Sequence, residues 1–228
     1  MDRTHRTRSI EAATSPGSAA VSRRARLRDD LEQVILGEAE RVFADKGFDG
    51  ATVSDIAEAA GLSKQNLMYY FPSKQALYER VLDDVLDDWL RSMNALAHSD
   101  LPMPQALRLY IQAKLEFSRR RPAGSRVYAL EVISGAKQYA QQIKSKVVPV
   151  LRKDIATLNR WMEPRQVKVS AEHLMFAIWA ATQSYADFAT QMQLVTGRSS
   201  LSDAFFAQAQ ETLTQMVLGA LGSAEASA

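Results

Sequence analysis

Apolar residues recur at three- and four-residue intervals along most of the chain, the pattern of amphipathic helices. A first long helix is predicted from Leu27 to about Lys46, with Leu31, Val34, Ile35, Ala39, Val42 and Phe43 on its buried face and Gly47 closing it. Two short helices follow. One opens at Thr52, buries Val53, Ile56, Ala57 and Ala60, and stops at Gly61; the other opens at Ser63, buries Leu67 and Phe71, and stops at Pro72. A fourth helix, capped by Ser73, runs without a turn residue to about Ala97. After a loop over residues 98–104, further helices are predicted over Gln105 to Arg120, Ser125 to Ser134, Gln138 to Met162 with a kink at Pro149, Ala171 to Val195, and Asp203 to Leu221. The fold class is therefore all-α, with about nine helices: a three-helix N-terminal unit joined by a long helix to a helical body.

The stretch TVSDIAEAAGLSKQNLMYYFPSK, Thr52 to Lys74, has the outline of a helix-turn-helix. Glycine at position 61 lets the chain leave the first short helix sharply. On the second, Lys64, Gln65, Asn66, Tyr69 and Tyr70 lie off the buried edge. Lysine and tyrosine can hold phosphates, and glutamine and asparagine can hydrogen-bond base edges in the major groove. Spacing alone does not separate this from an ordinary three-helix core with a polar surface.

The run from Ile35 to Leu77, with Phe43, Gly47, Phe48, Thr52, Ile56, Ala57, Ala60, Gly61, Ser63, Tyr70, Phe71, Ser73, Lys74 and Leu77 in place, resembles the DNA-binding domain of TetR-family transcriptional regulators. The resemblance implies a homodimer on a palindromic double-stranded operator, contacted through Thr52, Ser54, Lys64, Gln65, Asn66, Tyr70 and Lys74, with Lys74 on a phosphate. Met68 stands where many members carry a DNA-contacting tyrosine. Farther on, KLEFSRRRPAGSR and HLMFAIWAATQSYADFATQMQLVTG resemble the pyrimidine-responsive, RutR-type branch, which implies uracil or thymine as effector. A regulator with an unrelated apolar effector, or a helical protein-binding adaptor, are the other readings.

Net charge is only +2, but it is unevenly placed. Residues 1–28 hold seven arginines against Asp2 and Glu11, so the positive charge gathers beside the helix-turn-helix. The expected organisation is a disordered basic arm over 1–24, a DNA-binding domain over 25–72, a ligand-binding and dimerisation domain over 73–222, and a disordered tail over 223–228. No cysteine is present, which removes disulfides and thiolate chemistry. No apolar run approaches the ~20 residues of a membrane span, and a cytoplasmic location is expected. Hydrolase, P-loop and zinc-protease motifs are absent and the three histidines are scattered, so neither catalytic nor metal-ligating residues nor a cofactor are assigned. Asp83, Asp84, Asp87 and Asp88 read as a solvated face of the fourth helix.

In the body, Trp179 and Gln183 share a helix face, and Trp89 and Phe117 come from other helices. An indole to stack on and an amide that both donates and accepts suit a small planar polar molecule, although a buried tryptophan with a satisfied glutamine is the commoner meaning of such a pair. Trp89, Phe117, Trp179, Gln183 and Tyr185 are the candidate effector residues. The helix from Ala171 is apolar nearly all round at Leu174 to Ala181, as expected of a helix that also packs on a second copy of the chain.

Overall fold

A computed structural model describes residues 16–97 and 100–222, with ten α-helices, one 3-10 turn and no strand among them. The expected basic arm lies outside the described residues up to residue 15, as do 98–99 of the loop and the tail over 223–228.

The first helix, α1 (Pro16–Gly50), begins earlier than the apolar stripe suggests. Its added N-terminal stretch is rich in alanine and arginine, strong helix formers that extend a helix once the packed part has nucleated it. Of the expected stripe, Ile35, Ala39 and Phe43 are buried, with Leu36 and Ala44 beside them, and Leu31 and Val42 are half-buried, whereas Val34 is 49% exposed because it sits at the edge of the packed face. At Gly47 the backbone turns to φ 66° and ψ 177°, a conformation that disfavours any side chain. The bend lets Phe48 fold back, so that Phe43 and Phe48 meet Tyr78 of the fourth helix with ring centroids 4.8 and 4.9 Å apart.

Helices α2 (Val53–Ala59) and α3 (Lys64–Tyr70) are each fixed at their start by a side chain. Thr52 and Asp55 form a reciprocal capping box: Asp55 N–H donates to the Thr52 hydroxyl at 3.1 Å, and Thr52 N–H donates to the Asp55 carboxylate at 3.0 Å. Ser63 Oγ accepts from Asn66 N–H at 3.1 Å. Between them Gly61 takes φ +67°, and Leu62 N–H bonds the Ala57 carbonyl at 2.8 Å. Helix α4 (Lys74–Ala97) then runs as one piece from this headpiece into the body, burying Leu77, Tyr78, Val81, Leu82, Val85, Leu86 and Trp89 along one side.

The body comprises α5 (Met103–Arg120), α6 (Pro122–Ile133), α7 (Ala140–Met162), a 3-10 turn (Glu163–Arg165), α8 (Ala171–Asp187), α9 (Ala189–Thr196) and α10 (Asp203–Ala220). Its core is built from Tyr110, Ile111, Leu115, Val127, Tyr139, Leu158, Met175 and Ile178. Helix α6 starts three residues sooner than expected because Pro122 takes its first position, where a missing N–H costs no bond and the fixed φ is already helical. Pro149 lies inside α7 without ending it. The long helix expected from Ala171 to Val195 is instead two, divided at Phe188 (φ −112°, ψ 22°), a break that no glycine or proline announces.

All four aspartates of α4 are ion-paired, and of the expected solvated face only Asp87 stays exposed. Asp83 accepts from Tyr139 Oη and, at 2.7 Å, from Lys146 Nζ, which also reaches Asp87 at 2.8 Å. Asp84 and Asp88 turn to the opposite neighbour, Arg121. Residues one apart on a helix point in different directions, so the run serves two packed elements.

Candidate nucleic-acid interface and effector site

Leu67, 1% exposed, anchors α3 to the headpiece core, and Phe71 closes the helix on the same side. With that edge fixed, Lys64, Gln65, Asn66, Met68 and Tyr69 face solvent, Tyr69 at 74% exposure. Ser54 is exposed on α2, while exposed Thr52 already uses its hydroxyl as the cap. Asp55 is held below the usual carboxylate range, first by the Thr52 hydrogen bond and then by Lys46, whose Nζ lies 3.1 Å away. Tyr70 is half-buried, its ring 5.6 Å edge-on from that of Tyr69. The Arg28 guanidinium of α1 sits 6.0 and 5.9 Å from these two rings. Tyr69 was read from the sequence as an outward tyrosine, but its pairing with Arg28 was not, since only the fold brings the α1 arginine beside α3.

Lys74 has a different setting from the one its position suggested. Its Nζ donates to the carbonyls of Phe48 at 2.8 Å and Ala51 at 3.0 Å, and lies 4.4 Å from the Phe48 ring centroid. Two of its three N–H groups thereby hold the turn between α1 and α2 against the start of α4.

Headpiece and body meet again at Arg121, the residue before α6. Its guanidinium donates to Glu40 of α1 at 2.9 and 2.6 Å and to Asp84 of α4 at 2.7 Å, with Asp88 at 3.5 Å. Burial would lower the Arg121 pKa, but Glu40 and Asp84 hold it above its ordinary value. One turn along α6, Ser125 Oγ donates to Asp187 of α8 at 2.8 Å. A little farther, Glu131, 4% exposed, accepts from Tyr78 Oη at 3.1 Å and from the backbone N–H groups of Gln138 and Tyr139 at 2.7 and 3.1 Å. Arg121, Glu131 and Ser125 thus tie the α6 segment to α1, α4 and α8.

Trp89, Phe117 and Gln183 converge on one cavity of the body, together with Val85, Leu86, Ser125 and Tyr128. Its volume of ≈ 10 Å³ is about a single water's worth, so a larger guest requires the walls to part. Gln183 Nε2 donates to Asp187 at 2.9 Å, and burial raises the pKa of that carboxyl against the pull of Ser125 and Gln183. Trp179 lies edge-on to Trp89 at 5.1 Å and donates its indole N–H to Tyr110 Oη at 2.8 Å. Tyr185 is not brought to this place; it packs against Phe205 and Phe206 of α10. A second, larger hollow of ≈ 200 Å³ lies between α8 and α10 over Ile111 of α5, lined by Ala177, Ala181, Met216, Ala220 and their neighbours. Met216 at 65% and Phe176 at 43% exposure leave this face apolar and open.

Residues 35–81 match the family described as bacterial regulatory proteins, tetR family, and residues 82–224 match the YcdC-like protein C-terminal region. The HTH-type transcriptional regulator RutR of Escherichia coli (strain K12) is 36% identical over 197 residues, covering 86% of this chain and 92% of its own. Among solved structures, a TetR-like transcriptional regulator from Rhodococcus sp. RHA1 superimposes with a TM-score of 0.65 at 19% identity, covering 84% of this chain and 96% of that one. AibR, solved in complex with isovaleryl coenzyme A and operator DNA, gives 0.63 at 14% identity over 82% and 97%. These likenesses agree with the all-α headpiece and body. With its helix-turn-helix and matched C-terminal region, the chain belongs to the TetR family of bacterial transcriptional regulators, a family of DNA-binding proteins and not of enzymes.

Proposed function

We propose that the chain represses transcription as a homodimer on a palindromic operator and leaves it when a pyrimidine base, uracil or thymine, binds the body. The observation that carries the reading is α3: a helix locked from below by Leu67 that offers Lys64, Gln65 and Asn66 outward. Gln65 and Asn66 read base edges; Lys64, Ser54 and Tyr70 hold phosphates, with Arg28 and Tyr69 widening that contact. Thr52 and Lys74 position the reader through the cap and the two carbonyl bonds described above. The open apolar strip of α8 and α10 supports pairing of two copies, which sets two α3 helices one DNA turn apart, about 34–36 Å.

For the effector, similarity to the pyrimidine-responsive branch supports a base stacked at Trp89 and Trp179 and hydrogen-bonded by Gln183. Entry of such a guest parts α4 from α6. Because Arg121 joins α6 to α1 and α4, that movement is passed to the headpiece and changes the spacing of the two readers. A coupling of about 1–3 kcal/mol gives a 5- to 150-fold change in DNA affinity.

Fluorescence anisotropy of full-length protein on DNA from upstream of its own gene, with and without uracil and thymine, tests the reading. Tight, salt-dependent binding that a pyrimidine releases is the expected result. Binding indifferent to pyrimidines removes the effector assignment, and release by an apolar metabolite would replace it.

A further inference from the structure

Two buried charged groups of the body take no part in the contacts described so far. Lys114 of α5 is 2% exposed and Asp154 of α7 is 0% exposed. Neither the Lys114 Nζ nor either Asp154 oxygen has a hydrogen-bond partner. The Nζ lies 3.5 Å from the Trp89 ring centroid and 5.6 Å from that of Trp179. Tyr110, one helical turn before Lys114, accepts the Trp179 indole N–H. The Lys114 amino group therefore lies against two of the candidate effector aromatics. Burial pulls its pKa well down and pushes that of the Asp154 carboxyl up, each opposed by the other group without a bond between them.

Burial without hydrogen bonds is costly for either group, and an ion pair built for stability alone closes to contact and fills its remaining bonds. This pair is open. Lys114 offers an unused donor against a flat apolar surface, and Asp154 of α7 an unused acceptor whose charge Lys114 feels. We propose that Lys114 and Asp154 are the polar anchors of the effector site, taking a small, flat, electrically neutral ligand that presents a carbonyl to Lys114 and an N–H to Asp154. The inference rests on the reading of the body as an effector site and adds to it the ligand's charge and polar pattern.

Charge balance decides the class. Lysine and aspartate together are neutral, whether charged or with the proton passed from one to the other, so a carboxylate or phosphate ligand would leave an uncompensated buried charge. A ligand with both a carbonyl and an N–H satisfies both sides and adds none. Its ring replaces the ammonium over the Trp89 face, where a stacked ring recovers the contact that the cation gives up. A cyclic imide or lactam, the chemistry of a pyrimidine base, fits; a fatty acyl chain does not.

The test uses calorimetric binding of uracil, thymine and 1,3-dimethyluracil, which keeps both carbonyls but has no N–H. The proteins are wild type, Lys114→Met, and the double variant Lys114→Met with Asp154→Leu, which removes both charges together; retained operator binding and helical circular dichroism show that each is folded. Wild type should prefer uracil to the dimethyl compound by at least tenfold. Lys114→Met should bind uracil at least tenfold more weakly, and the double variant should lose the preference. If wild type binds uracil or thymine while the double variant keeps both affinity and preference, the pair is a core feature bridged by water and the proposal fails alone. If neither base binds wild type, the pyrimidine reading fails and the proposal with it.

Discussion

Arg121 and Lys114 are both basic side chains set into the helical body, and they are treated in opposite ways. Arg121 spends its planar fork on Glu40, Asp84 and Asp88, joining three helices at a partly exposed seam. Lys114 lies deeper, has no hydrogen-bond partner, and faces indoles with Asp154 left open. The first arrangement is complete within the chain and suits mechanical linkage. The second is incomplete, and a group left incomplete in a core marks where something else belongs. The contrast also matches side-chain chemistry, since a guanidinium binds several carboxylates in fixed geometry whereas an ammonium is a point donor whose pKa yields on burial.

Changing each residue should separate the two arrangements. The largest effect is expected for Arg121→Leu, which strands Glu40 and neighbouring aspartates: about 3–5 kcal/mol of stability lost in urea unfolding, with weakened ligand control of DNA binding. Lys114→Met removes a buried ammonium with no hydrogen bond to lose and should leave unfolding stability equal to or above wild type. A loss like that of Arg121→Leu would show that Lys114 is a structural ion after all.

The next effect is on pH. Burial raises the Asp154 carboxyl to about 7, against a downward pull from Lys114. The folded chain therefore keeps a proton that the unfolded chain releases near 3.9. This favours folding fully at pH below that value, fades as pH rises toward about 7, and is gone above it. Asp154→Asn should remove a decline on the order of 2–4 kcal/mol over that window. Asp55 works in the opposite sense: its lowered pKa stabilises the fold above the unfolded value and is lost as pH falls. An Asp154→Asn stability profile parallel to wild type from pH 4 to 7 would contradict the assignment.

The smallest effects concern the headpiece, where the same division between completed and open groups applies. Lys74→Met should cost about 1–2 kcal/mol of headpiece stability by releasing two carbonyls, while the salt dependence of DNA binding keeps its slope. Lys64→Ala should leave stability within about 0.5 kcal/mol and reduce that slope by about one. If Lys74→Met also lowers the slope, its remaining N–H reaches a phosphate as the resemblance implied.

The helices were legible because their apolar spacing, caps and stops are local. Thr52, Gly61, Ser63, Pro72 and Gly197 each mark a terminus through their own backbone or hydroxyl chemistry. The division at Phe188 carries no such local signal. Of the expected effector residues, Trp89, Phe117 and Gln183 were reachable from helical faces, and Trp179 joins them through Trp89. Tyr185 followed the same sequence segment but turned to α10, since neighbours on a helix diverge by about 100° per residue.

By itself the sequence determined the all-α class, the helix-turn-helix with its outward polar residues, and membership of the family, since all of these depend on short-range periodicity and on matches along the chain. Tertiary structure alone decided which charges are completed and which are left open. Lys74, Lys114 and Arg121 are all basic residues on or beside helices in the sequence. What distinguishes them is the carbonyl, indole or carboxylate that a distant segment brings within reach, because burial and pairing are properties of the packed chain and not of the residue.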